Sequence, residues 1–325
     1  MKHVLKSETG GVALVLVIWV LVVLVAIVGE FSYSMKTEIN IVRNFKEEEE
    51  AYQLALAGVE AAKLELLSVK DNAIAYFKEN NVLVLDDLRA FKDDEEKEPV
   101  RNGTLGNVSY EYTLYDEDSK LNINTASRDT LKTLFSDSGV DSSEVDTIVD
   151  SIIDWRDTNE EHHLNGAEED YYRSLDIPYS CKDGPFDSIE ELLRVKGMTR
   201  EILYGSKKEG DEEDNEEASD DEEVTYEGVD RYLTVYGSIK ININTASESL
   251  LDVILGPEAA TNVISQRETG PILNAQFNNK ITSEYFTIIS TGTNADGKIK
   301  RSIKTTVLKR NNSLETLYWN DNLIG

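Results

Sequence analysis

At 325 residues the chain is long enough for one or two domains with a real core. Its 33 Lys and Arg stand against 62 Asp and Glu, a net charge of −29, which excludes a general phosphate-binding surface and disfavours an anionic lipid leaflet, because both rest on cations. The single Cys181 excludes an internal disulfide, and no Cys/His array has zinc spacing.

The N-terminal segment is the most informative part. Met1–Gly11 reads MKHVLKSETGG, a short polar leader carrying Lys2, Lys6 and Glu8. Val12–Gly29 follows without a charge until Glu30. Eighteen helical residues rise roughly 27 Å, close to the hydrocarbon thickness of about 30 Å. A buried core helix would show a polar face, and a cleaved secretory signal would carry a small-residue site after its apolar run. Neither feature is present, so a retained membrane anchor is expected. The leader lysines put the N-terminus in the cytoplasm and the rest of the chain beyond the membrane. Between Glu47 and Lys70, Ala51, Leu54, Ala55, Gly58, Val59, Ala62 and Leu66 form one stripe at spacings of three and four. That spacing predicts an amphipathic helix packed on a sheet and continuous with the anchor, some 55 residues in all, with Glu60 placed to pair with Lys63.

A polar leader ending in glycine, a retained apolar helix and an amphipathic continuation resemble a type IV pilin or type II secretion pseudopilin. The resemblance implies cleavage by prepilin peptidase between Gly11 and Val12, with N-methylation of Val12. Most members carry a glutamate at the fifth mature position, and here that position is Leu16. In the family that carboxylate pairs with an adjoining subunit's amino group, and an unpaired charge in apolar surroundings costs several kcal/mol. A subunit with nothing ahead of it gains by losing the acid. The K-type minor subunit of type II secretion shares this departure, so Leu16 implies placement at the filament tip.

Further along, an octapeptide occurs twice, KLNINTAS at Lys120–Ser127 and KININTAS at Lys240–Ser247. Each follows an expected strand, Asn107–Asp116 and Val229–Ile243, and each opens a helix with Thr125 or Ser127, and Thr245 or Ser247, as N-cap candidates. The asparagines are placed to tie the strand-to-helix turn to the backbone. These units, with Phe186–Thr199 and Ile254–Gly270, are similar to helix-hairpin-helix modules. Lys196-Gly197-Met198 and Gly256-Pro257-Glu258 are poor versions of the phosphate-binding turn, in acidic surroundings, so no nucleic acid is expected.

Val145–Met198 is similar to the helical domain of K-type pseudopilins through its order of Asp-Trp-x-Asp, Gly-Ala-acid, Tyr, Pro-Tyr and Pro-Phe-Asp-Ser. Asp154, Asp157, Asn159, Glu160, Glu168, Glu169 and Asp170 crowd around a turn at Asn165-Gly166. By composition this is either a solvated acidic loop or a site for a hard cation such as Ca²⁺, which takes six to eight oxygens. The resemblance implies calcium, with Asp170 able to replace Glu169. His162 and His163 read as an exposed pair, and nothing in the chain has the spacing of a nucleophile elbow, phosphate loop or zinc-protease helix, so no enzyme is expected.

Lys92–Glu98 reads as a charged insertion and Glu209–Glu223 as a self-repelling acidic loop. Glu284–Ser290 and Lys298–Lys309 read as strands around the Asn294–Gly297 turn, and Asn311–Gly325 as a polar tail of open structure. The resemblance implies an α+β, pilin-like fold: a leader (1–11), an anchor helix (12–29), a first pilin-like part (30–119), an inserted helical domain (120–225) and a second pilin-like part (226–325). It further implies a structural minor pseudopilin that initiates the type II secretion pseudopilus and caps its tip. Its partners would be minor pseudopilins of the I, J and H types, prepilin peptidase and the inner-membrane assembly platform. A membrane-anchored DNA-uptake receptor is the alternative.

Overall fold

The computed structural model describes residues 9–78, 82–86, 99–206 and 226–323. The polar leader up to residue 8, Lys92–Glu98 and the acidic loop Glu209–Glu223 lie outside the described residues. Helix α1, Thr9–Ser68, is one uninterrupted rod of 60 residues, slightly longer than the sequence predicts. From Leu14 to Phe45 its large apolar side chains are exposed, and the segment is long and apolar enough to cross a membrane. Its second half behaves as the stripe predicts: Ala51, Leu54, Ala55, Val59, Ala62 and Leu66 are buried, and Lys63 pairs with Glu60 at 2.8 Å.

The stripe packs on an antiparallel sheet of five strands: β3 Asn102–Leu105, β4 Val108–Asp116, β7 Tyr285–Thr293, β8 Lys300–Arg310 and β9 Ser313–Leu323, in the order β3-β4-β7-β8-β9. A hairpin of β1 (Ile74–Phe77) and β2 (Leu83–Asp86) lies beside it. Small residues let helix and sheet approach closely. A side chain at Gly58 would strike Ser290, and one at Gly292 would strike the helix backbone at Ala51 and Ala55. Leu114, Phe286, Ile288, Ile303 and Val307 complete this core. The expected β4 and the β7–β8 pair form as read, around a turn where Gly297 takes φ +76° and its N–H donates to Asn294 O. The tail left open by sequence becomes the edge strand β9, pairing with β8 from Ser302 to Arg310.

Because β4 pairs directly with β7, residues 117–284 all lie between two neighbouring strands. The insertion therefore extends beyond 120–225 and takes in the second octapeptide unit. Its main core gathers helices α2 (Arg128–Asp137), α3 (Ser142–Arg156), α4 (Glu169–Arg173) and α5 (Arg200–Tyr204) around Phe135, Ile148, Ile152, Trp155 and Tyr172. A smaller core packs α6 (Glu248–Leu255) and α7 (Pro257–Glu268) around Ile241, Ile243, Leu251 and Val263. The strand expected over Val229–Ile243 does not form. Val229–Tyr232 is a 3₁₀ turn, Leu233–Thr234 (β6) pairs in parallel with Leu121–Asn122 (β5), and Asn242 makes an isolated bridge to Lys280. Val229, Tyr232 and Leu233 are drawn into the helical core, which leaves no longer ladder for the segment to join.

The two octapeptides build the same turn. Asn122 Oδ1 accepts from Asn124 N at 2.8 Å, and Asn242 Oδ1 from Asn244 N at 3.0 Å. Asn124 exchanges two bonds with the backbone of Phe186, and Asn244 two with that of Ile272. Each turn is clamped by an arginine from the second helix of its unit. Arg156 bonds Ile123 O and Ala126 O, and Arg267 bonds Ile243 O and Ala246 O. Of the N-cap alternatives, the serines serve: Ser127 Oγ accepts from Thr130 N and Ser247 Oγ from Leu250 N. The insertion is fastened to the sheet by three buried acids in a row, Asp116, Glu117 and Asp118. Asp116 Oδ2 accepts from Asn242, Thr245 and Ser283, Glu117 from Thr234 and Thr287, and Asp118 from Glu284 N while pairing with Lys280. Burial and the Asp118 charge push the Asp116 carboxyl up, and the Ser283 and Thr245 hydroxyls pull it back.

Candidate metal centre

The oxygen-rich stretch folds into a loop between α3 and α4. The last turn of helix α3 carries Asp154, and Asp157 is its C-cap. Glu168 is the first residue of the turn into α4 and makes no capping bond. A third segment crosses beneath, where Asp183 adopts φ 51° and Gly184 N donates to Trp155 O. Asp and Asn are the side chains that best tolerate this left-handed conformation, which accounts for an aspartate before the glycine.

Donor atoms of Asp154, Asp157 and His163 lie within 4.8 Å of one another, as do those of Glu168, Cys181 and Asp183. Asp154 is fully buried and accepts from His163 N, from Ala167 N at 2.9 Å and from His163 Nδ1 at 2.5 Å. Gly166 is required here, since a Cβ would overlap the Asp154 carboxylate. Glu168 is 3% exposed, no N–H or O–H donor reaches its oxygens, and the Cys181 thiol is the weak donor beside them. Burial, then the charges of Asp154, Asp183 and Asp157, push its carboxyl up to about 7. A buried carboxylate served only by a weak thiol donor is costly, and a cation would satisfy it.

The donor set selects a class of ion. Four carboxylates are hard oxygen ligands suited to calcium. Burial pushes the Cys181 thiol up to about 12, and its sulfur lies beside Glu168 and Asp183. The floor is aromatic: Trp155 meets Tyr172 edge-on at 5.1 Å and Phe186 at 6.5 Å, which keeps bulk water from that side.

Of the residues singled out from sequence, Asp154, Asp157 and Glu168 converge. Asn159 borders them, its amide donating to Asp157 Oδ1 at 2.7 Å, and Glu160 is exposed. Glu169 turns away to Arg173 Nε at 2.6 Å and Cys181 N at 2.8 Å, and these bonds hold its carboxyl below the usual range. Asp170 is exposed and accepts from Tyr171 N. Neither joins the cluster, because the helical turn of α4 carries successive side chains about 100° apart. His163, read as exposed with His162, instead bonds Asp154. Asp183 was missed, and its Asp-Gly pair was the available signal.

The poor phosphate turns are occupied otherwise. Lys196 donates to Asn165 O and Gly166 O, and Gly256, at φ +80°, serves as the N-cap of α7 ahead of Pro257.

Residues 106–205 match the family described as Type II secretion system (T2SS), protein K. A putative type II secretion system protein K of Escherichia coli (strain K12) is 25% identical over 206 residues. That alignment spans 61% of this chain and 61% of the relative's length. Among solved structures, the GspK-GspI-GspJ complex from the enterotoxigenic Escherichia coli Type 2 Secretion System contains a chain that superposes with a TM-score of 0.62. The match covers 87% of this chain and 99% of that one at 16% identity, a likeness of fold.

Proposed function

We propose that this chain, whose residues 106–205 match the type II secretion protein K family model and whose fold is like that of a chain in the GspK-GspI-GspJ complex, is a structural minor pseudopilin that initiates the pseudopilus and caps its tip. In that position it supports protein export across the outer membrane. One observation carries the reading: a single helix runs from an exposed apolar half into a sheet that packs on its other half, and a long helical insertion leaves that sheet between the paired strands β4 and β7. The apolar half suits a single-pass inner-membrane anchor with a cytoplasmic N-terminus. A repeating subunit must leave room for neighbours around the helical stack, and a large insertion obstructs them, so an end position is favoured. Leu16, 61% exposed on α1, agrees, since a lone carboxylate there would find no partner at a tip.

The partners in this reading are minor pseudopilins of the I and J types, as named in the solved complex, then the H type and the assembly platform. Prepilin peptidase cuts at Gly11–Val12. Ca²⁺ is held by Asp154, Asp157, Glu168 and Asp183, beside His163, where it neutralises the loop and orders its backbone.

Co-expression of the full chain with I- and J-type subunits should give a one-to-one-to-one complex. Isolation of a homopolymer, or immunogold labelling along the pseudopilus shaft, would refute the tip role. Mass spectrometry of the membrane form should find the mature chain starting at Val12, and an intact Met1 would sink the processing step.

A further inference from the structure

Lys196 stands in the turn that sequence offers as a phosphate contact, and the fold uses it inside the acidic loop. Its Nζ donates to Gly166 O at 3.0 Å and Asn165 O at 3.2 Å, and lies 4.9 Å from the centre of the Tyr171 ring. Two carbonyls and an aromatic face are the surroundings that suit a monovalent cation. Among the described residues no ion pair joins Lys196 to a carboxylate. Its backbone is fixed in place as well: Gly197 takes φ +85° with α3 so near that a Cβ would press on Ile148.

The same turn is gripped from its other side. Asp150, 1% exposed, accepts from Asn165 N at 3.3 Å, Asn165 Nδ2 at 3.2 Å and Arg128 Nε at 2.6 Å. Burial raises that carboxyl, yet Arg128 and Asn165 hold it below the usual range. The residues that follow the gripped turn are Ala167, whose N–H meets Asp154, and Glu168, whose buried oxygens no N–H or O–H donor reaches. Whatever fixes Asn165 and Gly166 therefore fixes the approach of Glu168 to Asp154.

We infer that Lys196 is a tethered cation that closes the 163–168 loop before any divalent ion arrives, and thereby acts as a positioning residue for calcium. The inference rests on the calcium reading above. Two effects of its charge oppose each other. An ammonium near a divalent ion repels it, whereas an ordered loop spares the ion the entropy of ordering it. Because the ammonium bonds carbonyls and leaves the four carboxylates to the ion, ordering dominates.

The test compares wild type, Lys196→Met and Lys196→Arg in the full chain, stripped of metal in detergent. Amide exchange is followed over residues 163–168, and calcium is then titrated calorimetrically. Lys196→Met should exchange about tenfold faster and bind calcium about tenfold more weakly, the loss expected for charged hydrogen bonds. Lys196→Arg should recover most of both. In Lys196→Ala, methylammonium should restore protection and tetramethylammonium, too large to donate, should not. Unchanged exchange in Lys196→Met, or tighter calcium, overturns the inference. A wild-type chain that shows the exchange difference yet takes up no calcium overturns instead the calcium reading on which it rests.

Discussion

Replacing Gly292 by valine should destabilise the folded region by roughly 3–5 kcal/mol, the range of severe overpacking and strain. Even a single Cβ at this position would overlap the main chain of α1 at Ala51 and Ala55 and approach Leu54. Backbone cannot rotate aside as a side chain can. The helix must instead lift from β7, opening the contacts among Ala55, Val59, Phe286 and Ile288. Gly58 is more forgiving, because a Cβ there meets the Ser290 hydroxyl and the Tyr110 ring, both of which can move. Gly297→Ala serves as the control: nothing lies within 4 Å, and only its φ of +76° is strained, at about 1 kcal/mol. Guanidinium unfolding of Gly292→Val, Gly58→Ala and Gly297→Ala should rank Gly292→Val worst by a wide margin. A midpoint for it equal to that of Gly297→Ala would show that helix and sheet are not closely apposed there.

In chelator, the protein should lose stability as pH rises from about 4.5 to about 7, and calcium should remove the part of that loss that Glu168 contributes. Glu168 has its ordinary value near 4.5 and a folded value of about 7. The folded state therefore holds a proton that the unfolded state releases across this window, so stability falls as pH increases. Two and a half units set an upper bound of about 3 kcal/mol, or roughly 8 °C in melting temperature for a domain of this size. A divalent ion takes the deprotonated carboxylate and adds RT ln(1 + [L]/Kd), about 2.7 kcal/mol at a hundred times Kd. Melts at pH 7.5 should thus separate strongly between calcium and chelator, and converge near pH 4.5. Glu168→Gln should be the more stable protein in chelator at pH 7.5 and should respond little to calcium. Superimposable melts at pH 7.5, with no metal found by elemental analysis, would remove the site.

The candidate site's acidic run was legible because carboxylate density is a local property. Asp154, Asp157 and Glu168 could be picked from one acidic run, but the run gave no means to separate Glu168 from Glu169. Only the start of α4 decides that the first faces the cluster and the second caps Cys181 N and pairs with Arg173. Asp183 lies far along the chain and enters through a left-handed turn beneath Trp155, a proximity that no local pattern encodes. His163 carried no periodicity at all, and its role depends on the loop that brings its N–H and ring to Asp154.

What the sequence by itself determined is the long helix, its apolar half, its buried stripe and the two Asn-Ile-Asn turns that open helices. Each of these rests on spacing within a few residues, where helix geometry and side-chain reach suffice. The tertiary structure decided the extent of the insertion, because it depends on β4 pairing with β7 across residues 117–284. It also turned Val229–Ile243 away from a strand, made an edge strand of the tail and spent Lys196 on the acidic loop. These outcomes turn on which distant segment supplies a hydrogen-bond partner or a core to fill. That competition is settled by the whole packed chain, and local propensity yields to it.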